Sequence, residues 1–425
     1  MLNPDVIERK GWCPGALRPM PSGDGLIVRV RPVMGTLRLR DLLALESAAG
    51  RFGNGQIDLT RRCNLQIRGV SEATLAPLQA ALRELGLLDA EVAAEAVRNI
   101  MVNPLAGIDA KATDIRPVAL TLGERLRDDR TLWNLPGKFG FIVDGGGALD
   151  LAAERADIRL TAVDPDGHFA LGLDRPDGIE WLGCVAGDAA TDLAMACATA
   201  FIGLGGSRHG RMRDIGDRDI ATIRAGVEAQ LVPLSQIPSH HLPAARVGLF
   251  DHGASQVAVG FAAPFGRLEP EQLRAIAAIA AQVGITELRL SPWRVLYAPV
   301  NDAPSGRRVL EAVAAAGLIV APNDPLLRIE ACPGAPSCAS TRLDTRATAR
   351  TLAAHFPKDF SGTVHVSGCA KGCARSAPSD LVLVGAGDRF GIVRNGTPRG
   401  TLSGEVSLAE LASHPDQIFR CKAPA

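Results

Sequence analysis

The chain repeats itself. Shifted by 231 positions, residues 25–69 fall on residues 256–300 without a gap, and nine of those 45 positions are identical. The matches are Val28/Val259, Gly35/Gly266, Leu37/Leu268, Leu42/Leu273, Ala44/Ala275, Ala49/Ala280, Gly53/Gly284, Leu59/Leu290 and Leu65/Leu296. Each copy opens on an alternating strand (26–31; 257–261) and continues as a helix-period stretch (39–52; 270–283). A Gly and a second alternating strand follow, which predicts a β-α-β unit. Further on, the spacing recurs at 230, pairing Arg98 with Arg328, Asp114 with Asp344, Arg116 with Arg346, Thr121 with Thr351 and Leu122 with Leu352. A chain patterned this way is expected to fold as two related halves, each a small α+β unit followed by a larger α/β unit. The expected divisions are 1–90, 91–231, 246–318 and 319–425, with the Pro-, Ser- and His-containing stretch 232–245 as linker.

The two halves carry different chemistry. The second holds Cys332-Pro-Gly-Ala-Pro-Ser-Cys338 and, thirty residues on, Cys369-Ala-Lys-Gly-Cys373. Four thiolates beside small residues suit a [4Fe–4S] cluster, with Cys332, Cys338, Cys369 and Cys373 as its ligands. Zinc pairs are usually closer in sequence; zinc and inert core thiols are the other readings. Cys13, Cys63, Cys184, Cys197 and Cys421 have no partner spacing, and Cys184 and Cys197 are expected in the core.

The first half is rich in arginine instead. Between Leu26 and Val70 there are eight Arg, no Lys and three acids. If 58–68 runs as one strand, Asp58, Thr60, Arg62, Asn64, Gln66 and Arg68 share a face opposite Leu59, Leu65 and Ile67. Arg29 and Arg31 share a face of the preceding strand in the same way. Guanidinium forks at this density favour a polyanionic small ligand.

Over the whole chain 46 Lys+Arg balance 46 Asp+Glu, and there are one Tyr and four Trp. Binding to nucleic acid is therefore not expected. The longest apolar run, 193–206, is too short for a membrane span and reads as a buried helix. The polar first ten residues show no secretory signal, so a cytoplasmic location is expected. No Gly-x-Gly-x-x-Gly follows a strand, and Gly145-Gly-Gly147 and 203–206 read as turns.

These motifs resemble the sirohaem-containing sulfite and nitrite reductases over nearly the whole chain. The cysteine set is that superfamily's cluster motif. Leu59-Thr-Arg-Arg-Cys-Asn-Leu-Gln-Ile-Arg-Gly69 looks like its tetrapyrrole-contacting strand, and Val97-Arg-Asn-Ile-Met-Val-Asn-Pro-Leu-Ala-Gly-Ile-Asp109 is very similar to the nitrite reductase version. Leu135-Pro-Gly-Lys-Phe139 resembles its Leu-Pro-Arg-Lys segment. The resemblance implies a pseudo-two-fold repeat of a ferredoxin-like half-domain plus a cluster- and tetrapyrrole-binding α/β domain. It implies that Arg29, Arg98 and Lys138 face the reacting species, with Arg98 and Lys138 catalytic. It also implies that Arg29, Arg62, Gln66 and Arg68 grip the tetrapyrrole. Cys373 falls where the reductases bridge cluster and sirohaem iron.

The departures are Gly140, where sulfite reductases carry a second lysine, and Gly137 and Asp58, each in place of an arginine. Gly140 is expected to leave one cation fewer and more room beside the macrocycle. Gly11-Trp-Cys-Pro-Gly-Ala-Leu-Arg-Pro-Met20, followed by Ser22-Gly-Asp-Gly25, looks like the monooxygenase branch of the superfamily, in aerobic cobalamin biosynthesis. That branch implies precorrin-3A and O2 as substrates and hydroxylation with lactone formation. It also implies an external electron donor (NADH through a reductase, or a ferredoxin) and a mononuclear non-haem iron. His209, His240, His241 and His252 are candidate iron ligands by chemistry alone. The alternative is a sirohaem-dependent nitrite or sulfite reductase, and a third reading is a non-catalytic tetrapyrrole binder.

Overall fold

The structure is a computed structural model that describes residues 13–238, 245–251 and 257–420. The first half runs β1 (Met20–Ser22), β2 (Gly25–Val30), β3 (Thr36–Arg38), α1 (Leu39–Phe52), β4 (Ile57–Leu59), β5 (Leu65–Val70) and α2 (Glu72–Glu84). It continues with α3 (Val92–Val97), β6 (Ile100–Val102), α4 (Arg116–Asp128), β7 (Phe141–Asp144), β8 (Ile158–Ala162), β9 (His168–Arg175), β10 (Gly178–Ala186), α5 (Gly187–Gly203), α6 (Gly206–His209) and α7 (Asp217–Val227). The second half repeats the order. It has β11 (Gly248–Asp251), β12 (Val257–Ala262), β13 (Arg267–Leu268), α8 (Pro270–Val283), β14 (Glu287–Leu290), β15 (Val295–Val300) and α9 (Ala303–Ala315). Then come β16 (Ile329–Ala331), α10 (Thr345–Ala354), β17 (Val364–Ser367), β18 (Ser379–Ala386), β19 (Arg389–Gly396), β20 (Gly404–Ser407), α11 (Leu408–Ser413) and α12 (Gln417–Arg420).

The repeat is visible in the backbone itself. Met34 (φ 53°) and Phe265 (φ 57°) share a left-handed conformation, as do Cys63 (φ 54°) and Arg294 (φ 62°), and each pair lies 231 residues apart. Non-glycine residues rarely adopt that region, so its recurrence at the repeat spacing marks the same two turns built twice. The two small sheets also exchange an edge. One runs β1-β2-β5-β4-β13 and the other β11-β12-β15-β14-β3, so each half lends its short strand to the other. Arg267 pairs with Asp58, and Leu37 pairs with Leu288. One core lies beneath both sheets. Leu42, Leu45, Leu65 and Ile67 are buried in it together with Leu273, Ile276, Leu288 and Leu296. Each such side chain contributes roughly 1.5–3 kcal/mol by leaving water.

The larger units match strand for strand. In β6-β7-β8 and in β16-β17-β18 neighbours are parallel, and the last two strands of each sheet are antiparallel. Leu193, Ala194, Cys197, Ala198 and Phe201 bury one helix, α5, over the first of these sheets, and Cys184 is buried as well. At the start of the linker Val232 exchanges backbone hydrogen bonds with Cys184, at 2.8 and 2.9 Å. Among the described residues no helix is long and apolar enough to cross a membrane.

One local expectation is corrected. Residues 58–68 are a hairpin, not one strand: Asp58 pairs with Gln66 and Leu59 with Leu65 across a turn. The Thr60 hydroxyl accepts from the N–H groups of Arg62 (3.3 Å) and Asn64 (3.1 Å), which closes the turn. Asp58, Gln66 and Arg68 keep a common face, whereas Arg62 projects from the turn.

Candidate cluster and anion site

Cys332 follows β16 and Cys369 follows β17. Because these strands are parallel neighbours, both cysteine pairs leave the same edge of one sheet. The Cys332 N–H donates to Val366 O (3.2 Å), and the Gly368 N–H donates to Cys332 Sγ (3.2 Å). The Thr345 hydroxyl donates to Cys332 O (2.7 Å). Burial, then the neighbouring Cys332, Cys369 and Cys338, push the Cys373 thiol up to about 11. Yet among the described residues no three His, Cys, Asp or Glu side chains converge as around a single metal ion. Four cysteines on two adjacent loops supply the thiolate set that a cubane uses. Cys332 is buried, Cys338 and Cys369 are half-buried, and Cys373 is exposed, so one corner faces solvent.

On β17 the His365 ring is wholly buried, and neither nitrogen has a hydrogen-bond partner among the described residues. Burial drives its pKa from 6.5 down to about 4, with Glu330 opposing and Arg375 and Arg294 assisting. The unfolded chain therefore binds the extra proton across that interval, and stability falls as pH drops from 6.5 towards 4. His365→Leu is expected to flatten this part of the pH–stability curve and to be near neutral at pH 7, as thermal melts across the interval will check.

Residues of the first half lock the cluster loop. The Ser22 hydroxyl (2.8 Å), the Gly23 N–H (3.2 Å) and Arg68 Nη2 (3.1 Å) all donate to Ser337 O. A Cβ on Gly23 would lie 2.9 Å from the backbone nitrogens of Cys338 and Ala339. This is why Ser22-Gly-Asp-Gly25 carries a glycine here. Gly23→Ala should shift the loop and cost roughly 1–3 kcal/mol, read as a lower melting temperature with faster cluster loss.

Arg68, expected on the ligand, has a different role. It is 1% exposed, and Asp24 grips it at 2.7 and 3.1 Å. Asp58, the other departure, is a buried hub that Arg267 grips at 2.8 and 3.0 Å, with Arg346 and Arg68 nearby. Burial alone would raise its carboxyl, but Arg346, Arg267 and Arg68 together hold it below the usual range. Glu330 ties the halves in the same way, through Arg61 (2.7 Å), Arg375 (2.8 Å) and Arg294 (3.3 Å).

The remaining cations gather beside β2. Arg29 pairs with Gln66 across β2 and β5, so the two share the face away from the core. Burial, then Arg31, lowers Arg29 to about 10, and its Nε has no hydrogen-bond partner among the described residues. Arg62 Nη1 is also buried without a partner among the described residues, and burial followed by Arg211 lowers the Arg62 pKa. Arg211, which no sequence signal marked, is held by Asp157 at 2.9 Å and keeps its Nη2 unpaired. Arg31 is neutralised by Glu95 at 2.7 Å. Arg98 stands near Arg31, but Asp89 grips it at 2.8 and 2.5 Å. Lys138 is exposed on its loop with no carboxylate partner among the described residues.

Gly140 does not open a void. A Cβ there would come 2.7 Å from Arg62 Nη1, so the position of the missing lysine is filled by an arginine from the other unit. Of the four histidines considered for iron, His240, His241 and His252 lie outside the described residues, as does the His209 side chain.

The repeat does not produce a second such site. The counterparts of Arg29, Arg31, Arg62 and Gln66, 231 residues on, are Gly260, Ala262, Trp293 and Tyr297. Ala262 and Tyr297 belong to an apolar cluster with Leu105, Ile108 and Leu149, against which Trp293 packs. The equivalent crevice is plugged by hydrophobic side chains.

A fold with exchanged half-domains, a four-cysteine loop pair and one guanidinium-rich face defines a sulfite/nitrite reductase-type protein. Residues 18–85 and 251–300 match the nitrite/sulfite reductase ferredoxin-like half domain family. The solved structure of the Mycobacterium tuberculosis NirA protein shares the fold, with a TM-score of 0.77 at 21% identity over 93% of this chain and 80% of that one. A ferredoxin–nitrite reductase of Synechococcus elongatus is 27% identical, covering 90% of this chain and 80% of that protein. A precorrin-3B synthase of Sinorhizobium sp is 36% identical over 399 residues, 92% of this chain and 84% of that protein. The chain belongs to the precorrin-3B synthase family.

Proposed function

We propose that the protein hydroxylates precorrin-3A with O2, forming the lactone product precorrin-3B, and holds its tetrapyrrole as substrate. The observation carrying this reading is the set of buried, unpaired guanidinium nitrogens on Arg29, Arg62 and Arg211. A buried donor left unpaired costs about 1–3 kcal/mol, which a carboxylate of a polycarboxylate macrocycle would relieve. Gln66, opposite Arg29, adds a neutral donor, and exposed Lys138 supplies a mobile cation at the rim. Arg98, already neutralised by Asp89, shapes the wall and does not grip a carboxylate. Asp157 receives the Gly140 N–H (2.9 Å) as well as Arg211, and so fixes Gly140 and Arg211 beside Arg62.

The four cysteines would hold a [4Fe–4S] cluster, which supplies single electrons when bound. Exposed Cys373 stands near exposed Lys371, and Arg399 donates to Ala370 O (3.2 Å) in the same loop, cations suited to an acidic external electron donor. Among the described residues no three His, Cys, Asp or Glu side chains form a donor set for a mononuclear iron.

The nitrite reductase likeness favours a second reading, sirohaem-dependent reduction of nitrite or sulfite. Anaerobic cofactor analysis separates the two. The proposal expects four iron and four sulfide per chain in the cubane, with a broad cluster spectrum. Stoichiometric sirohaem bands in the purified protein would favour the reductase.

A further inference from the structure

One row of side chains crosses four strands of the first small sheet on the face away from the core. Arg29 pairs with Gln66, Gln66 with Asp58, and Asp58 with Arg267 of the other half. Directly paired residues on antiparallel strands point the same way. The row therefore lines one surface and spans three strand spacings, roughly 14 Å. Its two ends differ. At the Arg29 end, Arg29 Nε and Arg62 Nη1 are buried without partners among the described residues. At the other end, two guanidiniums meet a carboxylate that the chain itself supplies. Asp58 is 6% exposed, Arg267 donates to both its oxygens (2.8 and 3.0 Å), and Arg346 Nη2 stands 3.5 Å from Oδ1. Arg68, 3.8 Å from Asp58, has its own partner in Asp24. One carboxylate does not satisfy the Arg267 and Arg346 pair. Arg346 Nε and Nη1 are buried without a hydrogen-bond partner among the described residues, and burial lowers Arg346 to about 10 against the pull of Asp58. A cavity of about 290 Å³ lies against this end, lined by Arg267, Arg346 and Arg350 and by Pro336 and Ser337 of the cluster loop.

We infer that Asp58 is a specificity-determining residue: its carboxylate occupies the Arg267 and Arg346 pair in place of a ligand carboxylate, so that the tetrapyrrole is gripped from the Arg29 end alone and released after turnover. A polycarboxylate macrocycle carries acids around its rim. Guanidiniums open at both ends of the row would hold it as a resident group, whereas a product has to leave in every cycle. Held on β4, the Asp58 carboxylate has the high effective concentration of a tethered group, and an incoming carboxylate does not displace it. The inference deepens the tetrapyrrole reading above and rests on it.

The test is anaerobic titration of cluster-loaded enzyme with uroporphyrin, beside thermal melts, for Asp58→Asn, Arg346→Gln and the double variant. Asp58→Asn should melt at a lower temperature, because the hub loses its charge. It should nevertheless bind the probe at least about tenfold more tightly, the gain of one charge-assisted contact, chiefly through slower release. A residue with only a structural role would not tighten the probe. Arg346→Gln alone should bind within about twofold of wild type, because Asp58 already engages that guanidinium, and the double variant should return to about the wild-type Kd. If Asp58→Asn folds and binds no more tightly, or if Arg346→Gln alone weakens the probe about tenfold, the inference is wrong and the tetrapyrrole reading stands. The Arg346→Gln result decides even where Asp58→Asn does not fold. If uroporphyrin fails to bind the wild-type enzyme, both fall.

Discussion

Cys332→Ala enzyme, purified without air, is expected to retain less than about a tenth of the wild-type iron and sulfide, because a cubane needs all four thiolates. Cys332 is the most buried of the four, and two further interactions build on it: Gly368 N–H donates to its sulfur and Thr345 to its carbonyl. Removing the sulfur takes away a ligand and the acceptor that shapes the 368–373 loop together. Cys373→Ala, at the exposed corner, should lose iron more slowly and leave a degraded cluster. Iron and sulfide assays beside visible spectra check both. Full occupancy in either variant would remove that cysteine from the set. Cys13→Ala in the same assay should match the wild type.

Gly140→Lys is expected to weaken polycarboxylate tetrapyrrole binding ten- to a hundredfold and to confer no sulfite reduction. The ordinary expectation is the opposite, since the substitution restores a lysine found in the sulfite reductases. But the Cβ alone would stand 2.7 Å from Arg62 Nη1, so the lysine can enter only by evicting the arginine. Losing one charge-assisted contact costs ~1.5–3 kcal/mol. Gly140→Ala and Arg62→Ala should each give most of that loss, and the double variant no more than either, because both act through one guanidinium. Titration with uroporphyrin measures the cycle. Additive losses would show that Gly140 acts on binding by another route.

What could be read from the sequence was whatever leaves a periodic or spaced trace. The helices at 39–52 and 270–283 were legible because their apolar positions recur at helical spacing on both copies, and the structure gives them those bounds. The cysteine pairs were picked out by local spacing alone, and the structure puts both on loops that leave neighbouring parallel strands. The hairpin at 57–70 was hidden because alternation runs through its turn, so one long strand and two short ones look alike. Arg68 was misplaced since a guanidinium reads the same whether it meets substrate or Asp24 and Ser337. The exchanged edges were invisible: β13 is two residues long, and its partner Asp58 lies 209 positions earlier. The Gly11-to-Gly25 motif carried a contact invisible in the sequence: Ser22 and Gly23 lock the cluster loop through Ser337 O.

The central claim is that this fold, shared with reductases, here oxygenates its tetrapyrrole. Aerobic turnover of precorrin-3A by the cluster-loaded enzyme, under isotopically labelled O2 and an electron donor, tests it most directly. The account predicts one labelled oxygen atom in the product and negligible sulfide or ammonia from sulfite or nitrite with the same donor. A product whose new oxygen comes only from water, or brisk reduction of either anion, would contradict it.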